Sequence, residues 1–357
     1  MKKSAVTYHI IGGGVSGLAC AWFLKDKNAD VIVYEAKSKL GGRAYSYDDE
    51  KTGKRLDNAV HVIIGANKFM SSFVNKDEWE YTKYFVDSEN YTLDTSLVKN
   101  KDILYKAFCN MSPDNIDRKI KRTIAKLLFP YTKSQRKIWF SKQDISQRII
   151  NVLACKADAI KLNSKLKKIK SKDNKAISLE FDDYEVELGH NDKVILALDN
   201  NSCAEFVSVN SLQHSPIVNI TYFTSQTIFL PKGASFVAQK TGLADFVFVN
   251  DGMITAVISD YQADGKNLND LAIKIWKEID AIRGVDSAFM PEYKISYHPK
   301  ATIRQDTISN LLRPKNAKTE YSNVFIAGDW TMQNYPCCME VAVKSAQRAV
   351  KTALKSK

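Results

Sequence analysis

The fold is decided by residues 7–35, which read TYHIIGGGVSGLACAWFLKDKNADVIVYE. Residues 7–11 are a short apolar run typical of a buried strand, and residues 18–24 have the composition of an apolar helix. The glycine-rich turn at residues 12–17 joins them, and residues 30–35 form a second apolar strand. Strand, glycine turn, helix and strand in this order predict a βαβ unit, from which doubly wound α/β folds are built.

Three glycines of this turn have distinct physical roles in a βαβ unit that binds a dinucleotide. Gly12 permits the tight turn, Gly14 lets a pyrophosphate approach the backbone at the helix N-terminus, and Gly17 lets helix and strand pack closely. Glu35 ends the second strand 18 residues after Gly17. This is close to the spacing of about 20 expected for an acid that binds ribose hydroxyls, so the whole pattern predicts dinucleotide binding.

A second glycine segment begins only a few residues after Glu35. Gly41 and Gly42 stand beside Arg43, which indicates backbone close to a bound anion and a guanidinium that holds phosphate in a forked geometry. An ordinary surface turn is the alternative interpretation. A plain nicotinamide-binding domain usually continues into another crossover helix at this point, so the segment favours FAD over NAD.

The C-terminal part of the chain predicts another strand, turn and helix. Residues 323–327 form a buried strand that ends at Gly328 and Asp329, and residues 339–354 form the helix. Ligands of α/β proteins bind at the carboxyl ends of the strands, so Asp329 is a candidate to accept a hydrogen bond from the ribityl chain of a flavin. The N-terminus of the following helix would face the flavin pyrimidine.

The composition is that of a globular protein with about two domains. The chain has 357 residues, of which 45% are apolar and 26% charged. Its six cysteines form no CxxC pair and its five histidines lack zinc-ligand spacing, which predicts reduced thiols, a cytoplasmic protein and no metal site. The glycines at residues 12–17 argue against a secretory signal, and no other stretch reaches the roughly 18 apolar residues of a membrane span.

These motifs resemble the flavin-binding elements of the FAD-dependent amine oxidase and phytoene desaturase superfamily. Within it, the chain resembles most closely the hydroxysqualene dehydroxylase family, also called squalene-associated FAD-dependent desaturases. The segments that carry this resemblance follow in order at residues 57–61 (DNAVH), 215–219 (SPIVN), 256–259 (AVIS), 301–303 (ATI), 312–314 (LRP) and 327–331 (AGDWT).

The resemblance implies an α/β protein with the Rossmann-like two-dinucleotide-binding-domain FAD fold and an inserted α+β substrate domain. The predicted FAD domain is discontinuous, with residues 1–66, 153–204 and 300–357, and the substrate or cap domain comprises residues 67–152 and 205–299. FAD is the implied cofactor, and the residues expected to bind it are Gly12, Gly14, Ser16, Gly17, Glu35, Gly41, Gly42, Arg43, Gly328, Asp329 and Met339. The implied reaction is hydride exchange between flavin N5 and an apolar isoprenoid.

Two other functions remain open at this point, a flavin amine oxidase and an FAD-binding protein that has lost catalysis. Amine oxidases typically hold the substrate nitrogen between two aromatic rings, and Cys338 occupies the position of one of them, so half of this cage is missing. Tyr222 and Tyr297 are candidates to rebuild it. Apolar walls for a hydrocarbon would come from its neighbours Tyr335, Trp330 and Pro336.

The chain also departs from the family pattern near the expected cofactor. Ala59 and Val341 stand where the family has glycine, and residues 333–335 (QNY) replace a Thr-Gly-Leu beside the flavin. These changes add bulk, so the exact substrate does not carry over from the family.

Three residues are candidates for catalysis. Asp57 and His61 are candidates for proton handling near the substrate, and Lys300 resembles a lysine that approaches the flavin through a water in amine oxidases. Structural interpretations remain beside these: Asp57 as a turn cap, His61 as a satisfied histidine, and Lys300 as a surface lysine.

The net charge of +12 is concentrated partly between residues 161 and 175, which are expected to form a solvated strand and turn, and partly between residues 118 and 137. Ile116, Ile120 and Ile124 line one face of a predicted helix with basic residues around them. This pattern suits either peripheral contact with an anionic membrane surface, on the inner face, or a core-packed helix with a solvated basic back. Nucleic acid is not an expected partner, because no exposed aromatics are interleaved with the basic residues.

Overall fold

The computed structural model describes most of the chain. The described residues are 6–25, 27, 29–64, 67–70, 79–82, 85–87, 92–94, 101–128, 138–141, 144–224, 230, 236–239, 241–250 and 252–356.

The described residues form both α-helices and β-strands. The helices are α1 (Val15–Leu24), α2 (Lys101–Cys109), α3 (Arg118–Leu128), α4 (Ile145–Ala154), α5 (Asn200–Ala204), α6 (Leu268–Arg283), α7 (Thr307–Leu312) and α8 (Met339–Lys355). The strands of the N-terminal half are β1 (Val6–Ile11), β2 (Ala29–Tyr34), β3 (Ser46–Asp49), β4 (Lys54–Asp57), β5 (Val62–Ile64), β6 (Trp79–Thr82), β7 (Phe85–Asp87), β8 (Thr92–Asp94), β9 (Ile138–Ser141) and β10 (Ala159–Lys161). Those of the C-terminal half are β11 (Leu166–Lys172), β12 (Lys175–Phe181), β13 (Glu185–Glu187), β14 (Lys193–Leu196), β15 (His214–Phe223), β16 (Phe236–Ala238), β17 (Phe246–Asn250), β18 (Met253–Ser259), β19 (Glu292–Ile303) and β20 (Val324–Ile326).

The chain divides into two compact units. The first comprises residues 1–57, 144–212 and 308–357, and the second comprises residues 58–143 and 213–307. The domain boundaries predicted at residues 66, 153, 204 and 300 lie 8 or 9 residues from these limits. They stay a prediction.

A five-stranded parallel sheet forms the centre of the first unit, with the strand order β10-β2-β1-β14-β20. β1 pairs with β2 from Val6–Ala29 to Ile11–Tyr34, and α1 connects the two strands, so the predicted βαβ unit is confirmed. α1 is buried over most of its surface because it packs against α4 and α8 as well as the sheet. Smaller antiparallel sheets, β3-β4 and β11-β12-β13, complete this unit.

A five-stranded antiparallel sheet forms the centre of the second unit, with the order β16-β17-β18-β15-β19. One face of the sheet forms an apolar core with α6, in which Val218, Ile220 and Tyr222 of β15 are buried. Because side chains alternate along a strand, Ile217, Asn219 and Thr221 point to the opposite face. α6 ends at Arg283 and is followed by Gly284, which takes the left-handed conformation typical of helix C-termini.

The basic helix α3 packs into a second core of this unit. Ile116, Ile120 and Ile124 are buried in a cluster with Phe236 and Phe246, and the last two isoleucines of the stripe have no exposed surface. The hypothesis that this apolar face contacts a membrane is therefore wrong, because the face is already covered by protein. Within the described residues, no helix combines the length and hydropathy that crossing a bilayer requires.

Candidate functional site

The glycine turn at the end of β1 needs glycine at two positions for steric reasons. Gly12 has a φ of +109°, and a Cβ atom there would lie 2.6 Å from the carbonyl oxygen of Ala197. A Cβ atom on Gly17 would overlap the carbonyl oxygen of Gly12. The two glycines therefore let α1 approach the end of the sheet.

Gly14 differs from these two because the space beside it is open. The nearest atoms to a Cβ there would be those of Gly41 and Gly42, 3.8 Å away. Gly14 is the N-cap of α1, where no side chain caps the helix and no acidic residue lies in the first turn. The backbone N–H groups at this helix end are a fitting site for an anion such as a pyrophosphate.

Glu35 is buried and holds the glycine turn in place. Its Oε2 accepts a hydrogen bond from the backbone N–H of Gly13 (2.7 Å), and its Oε1 accepts one from that of Lys37 (2.9 Å). Each carboxylate oxygen can accept a further bond, so these contacts leave room for a ribose hydroxyl. The two backbone hydrogen bonds explain why an acid suits position 35 even before any ligand binds. This structural role of Glu35 was not predicted from the sequence.

The second glycine segment packs directly on the first. The backbone N–H of Gly41 donates to the carbonyl oxygen of Gly13 (2.9 Å), and Gly41 forms an isolated bridge with Gly14. Gly41 and Gly42 both have positive φ values, +114° and +62°. Glycine adopts such φ values readily, whereas any other residue at these two positions would be strained. The segment is therefore not an ordinary surface turn that tolerates other side chains.

Arg43 and Asp329 form an ion pair, although they lie 286 residues apart. Nη2 of Arg43 donates to Oδ1 of Asp329 at 2.6 Å, and this carboxylate holds the pKa of Arg43 above its usual value. The side chain of Asp329 is 5% exposed and that of Arg43 is 49% exposed. The pair therefore joins a buried acid to a guanidinium that still reaches solvent. Sequence reasoning placed each residue near the cofactor without linking them.

Ser345 connects the loop of Gly328 with two helices and was missed by sequence reasoning. Its Oγ accepts a hydrogen bond from the backbone N–H of Gly328 (2.9 Å), donates to the carbonyl oxygen of Ala342 (2.7 Å) and lies 3.2 Å from Oγ of Ser16. Ser345 has no exposed surface, although it lies on the apolar face of α8. The signal available in the sequence was a serine on the apolar face of a predicted helix, since a buried hydroxyl group needs a hydrogen-bond partner.

The N-terminus of α8 resembles that of α1 in lacking a side-chain cap. Cys338 is the N-cap and makes no capping bond, and the half-buried Met339 begins the helix. Burial raises the pKa of the Cys338 thiol to about 12, so the group stays neutral near pH 7. This helix end therefore offers backbone donors beside an uncharged thiol.

Residues 333 and 334 of the substituted segment 333–335 are held by Asn310 of α7. Asn334 has a φ of +67°, which asparagine tolerates better than most residues, at a position where the resembled family has glycine. Its backbone N–H donates to Oδ1 of Asn310 (2.7 Å), and its own Oδ1 accepts from the Nδ2 of Asn310 (2.9 Å). Gln333 donates to the Asn310 carbonyl oxygen (3.2 Å). The added bulk is thus tied down by hydrogen bonds within the protein.

The three catalytic candidates belong to different units. Asp57 ends β4 in the first unit and accepts a hydrogen bond from Oγ of Ser46 at 2.6 Å. His61 is half-buried just before β5, and Lys300 is exposed on β19, both in the second unit. Their catalytic roles stay predictions. Among the described residues, no cluster of histidine, cysteine or carboxylate side chains is suited to a metal ion.

Two family models match the chain. The model described as flavin containing amine oxidoreductase matches residues 130–354, more than half of the chain. The model described as NAD(P)-binding Rossmann-like domain matches residues 10–76, which include both glycine segments.

The curated relatives and the solved structures agree with these matches. The chain is 24% identical to hydroxysqualene dehydroxylase of Zymomonas mobilis and 23% identical to the protein of the same name from Sinorhizobium fredii, each over 97% of this chain and 98% of the relative. Among solved structures, cyclohexylamine oxidase from Brevibacterium oxydans matches with a TM-score of 0.71 and 12% identity over 98% of both chains. A putrescine oxidase matches with a TM-score of 0.66 and 15% identity over 98% of this chain and 99% of that one. Identities this low make the structural likeness one of fold alone.

We expect Ser345→Ala to lower the free energy of unfolding by about 1 to 3 kcal/mol, because the buried N–H of Gly328 loses its acceptor. Chemical denaturation followed by circular dichroism measures this change. The control is Ser171→Ala on the exposed edge of β11, which should stay within about 0.5 kcal/mol of the unmodified protein. Equal effects of the two substitutions would contradict the role assigned to Ser345.

Proposed function

Because the chain belongs to the flavin containing amine oxidoreductase family, it is an FAD-dependent oxidoreductase, and we propose that its substrate is an apolar isoprenoid rather than an amine. The family membership confirms the predicted superfamily and cofactor. FAD supplies the hydride acceptor or donor, so the protein has to bind, orient and desolvate the reactants. The relatives from Zymomonas mobilis and Sinorhizobium fredii, which match over nearly the full length, are hydroxysqualene dehydroxylases, and this supports the isoprenoid class.

The proposed FAD-binding residues belong to the first unit. The uncapped N-terminus of α1 at Gly14 would hold the pyrophosphate, and Glu35 would accept hydrogen bonds from the ribose. At the other end, Asp329 would accept a bond from the ribityl chain, and Arg43, paired with it at 2.6 Å, would hold the carboxylate in position. The backbone donors at the N-terminus of α8, after Cys338, would face the pyrimidine.

The substrate proposal rests on one observation: the residues considered for an amine-binding aromatic cage, at positions 338, 222 and 297, do not form one. The neutral thiol of Cys338 provides neither a π-face nor a negative charge for an ammonium group. Tyr222 has no exposed surface, and its hydroxyl donates to the carbonyl oxygen of Ala272 in α6. Tyr297 packs against the same core, because it pairs with Val218 on that face of the sheet. Neither tyrosine is available to rebuild the cage.

Two further aromatic residues near Cys338 are also engaged. Trp330 is 1% exposed and donates from Nε1 to the carbonyl oxygen of Leu198 (2.9 Å), so it belongs to the core and does not form the apolar wall expected from the sequence. Tyr335 lies under Nζ of Lys344, 4.2 Å from its ring centroid, which occupies one face of the ring. The Trp330 side chain and one face of the Tyr335 ring are therefore already engaged within the protein.

Asn219 provides a polar contact suited to an isoprenoid that carries one hydroxyl group. It lies on the sheet face opposite α6, directly between Val257 and Ser296 of the neighbouring strands. Its side chain is 4% exposed, and neither amide atom has a hydrogen-bond partner in the described structure. Leaving a buried amide unpaired is costly. A ligand hydroxyl would satisfy the amide, while the side chains of Val257 and Ile217 offer apolar surface.

We expect Glu35→Ala and Asp329→Ala each to weaken FAD binding by about 1 to 3 kcal/mol, since each removes a charged hydrogen-bond acceptor. Equilibrium dialysis of the purified protein, followed by flavin fluorescence in the free fraction, gives the dissociation constants. Glu205→Ala, at an exposed position of the same unit, is the control. Unchanged flavin retention in both test variants would refute the proposed anchors.

The substrate class is tested by anaerobic spectroscopy of the flavin in the intact holoenzyme. We expect reduced enzyme to be reoxidised by an allylic isoprenoid alcohol, and oxidised enzyme to remain unbleached by polyamines and aromatic amines. Polyenes and squalene-type alcohols complete the panel. Rapid bleaching by an amine would overturn the isoprenoid proposal, and no response to any compound would favour an FAD-binding protein without catalysis.

Asn219→Leu should leave the free protein as stable as before or stabilise it, because it replaces an unpaired buried amide by an apolar group of similar size. The same change should reduce the preference for an isoprenoid alcohol over its parent hydrocarbon by about tenfold, measured by competition binding, since the hydroxyl loses its partner.

The matched control for this variant is Asn200→Leu. Asn200 is equally well buried, but its amide donates to the carbonyl oxygen of Asn210 (3.0 Å) and accepts from the backbone N–H of Leu212 (2.9 Å). Its replacement should cost about 1 to 3 kcal/mol of stability. If Asn219→Leu is as destabilising as the control and leaves the preference unchanged, Asn219 has a purely structural role.

A further inference from the structure

α8 lines a cleft of about 500 Å³ in the first unit. Its contribution consists of residues spaced three or four apart, which therefore share one face of the helix: Lys344, Gln347, Arg348, Lys351, Thr352 and Lys355. Lys318 and Met332, from segments that precede the helix, and Ser356, which follows it, complete the lining. None of the residues proposed to hold FAD lines this cleft.

Every charged residue that lines the cleft is a cation. Within the described part of the chain, no ion pair joins Arg348 or any of the four lysines to a carboxylate. Like charges three or four residues apart on a helix repel each other and reduce its stability. Within the described residues, five positive charges therefore surround one concavity, and no acidic residue lines it.

Arg348 gives the cleft a fixed hydrogen-bond donor. Its Nη2 donates to the carbonyl oxygen of Thr331 (2.8 Å) and its Nη1 to that of Lys315 (3.4 Å), which holds the guanidinium in one place. Nε is buried and has no partner in the described structure. Burial lowers the pKa of Arg348, and no carboxylate offsets this effect. A guanidinium in this state gains most from a bound anion.

The helix dipole does not account for this arrangement. Cations near a helix C-terminus are favourable, but the effect is limited to the last turn. Lys355 lies in that turn, whereas Lys344 and Arg348 lie about three and two turns before it. Lys318 is not part of the helix. The dipole therefore explains one end of the cleft and leaves the rest unexplained.

We propose that this cleft is a binding site for a phosphate-bearing anion, supplied either as a soluble phosphate or as the headgroup of a lipid. Arg348 would donate to the phosphate oxygens, and the lysine ammonium groups would act as surrounding point charges. The proposal concerns a second site on the first unit and is independent of the identity of the redox substrate.

The test compares the holoenzyme with Lys344→Glu/Lys351→Glu at constant ionic strength, because surface charges are screened by salt. Titration calorimetry with pyrophosphate examines the soluble source, and flotation with vesicles of phosphatidic acid in phosphatidylcholine examines the lipid source. If the ligand is a soluble phosphate, we expect the double variant to bind pyrophosphate about tenfold more weakly; if it is a lipid headgroup, we expect the same loss of binding to the vesicles. Lys344→Gln/Lys351→Gln repeats the test without introducing acids.

The matched control is Lys274→Glu/Lys277→Glu, which changes net charge equally at two exposed positions of α6 in the second unit. It should bind like the unmodified protein. Loss confined to the cleft variants supports the proposal, and the arm in which it occurs identifies the source. No binding by the unmodified holoenzyme in either arm, or equal loss in the cleft and control variants, would overturn it. An unchanged flavin absorption spectrum shows that each variant retains its fold and cofactor.

Discussion

The close approach of α1 to the end of β1 is the constraint on which the first unit depends. Backbone meets backbone there, because a side chain at Gly17 would overlap the carbonyl oxygen of Gly12. This approach sets the position of the α1 N-terminus, and the buried carboxylate of Glu35 fixes the turn that leads to it. The second glycine segment then packs on the first through Gly41. A short stretch of glycine-rich backbone therefore positions the N-terminus of α1, the buried acid at the end of β2 and the second glycine segment.

The parallel sheet and its glycine turn were predictable from the sequence because their signals are local. Spacing alone indicates the turn at Gly12, the helix after Gly14 and the acid at position 35, and each depends on neighbours within about 25 residues. The ion pair between Arg43 and Asp329 was not predictable in this way. Each residue had a plausible ligand of its own, and only the folded chain shows that the buried acid already has a partner.

The surroundings of amphipathic and aromatic residues were equally hard to predict. A sequence pattern shows which residues share one face of a helix or strand, but it does not show what covers that face. The isoleucines of α3 fit a membrane surface and a protein core equally well, and the structure buries Ile120 beside Phe236 and Phe246. Tyr222 was a plausible cage residue until its register placed it on the α6 face of the sheet. A shift of one residue along β15 would have reversed that result. For Asn334, the structure instead explains a feature of the sequence. Its φ is positive, and asparagine is one of the few residues that can replace glycine in that conformation, so the replacement does more than add bulk.

The strand order of the parallel sheet also affects how the protein is made. β1 can pair with β2 as soon as both have been synthesised, but its other neighbour begins at Lys193, which pairs with Tyr8. At roughly 5 to 20 residues per second, the ribosome needs on the order of 10 to 40 s to add the intervening residues. β20, next in the sheet, comes later still. During this interval one edge of β1 has no partner strand, and an unpaired apolar edge is prone to pair with other chains, so the sheet becomes protected only after β14 has been made.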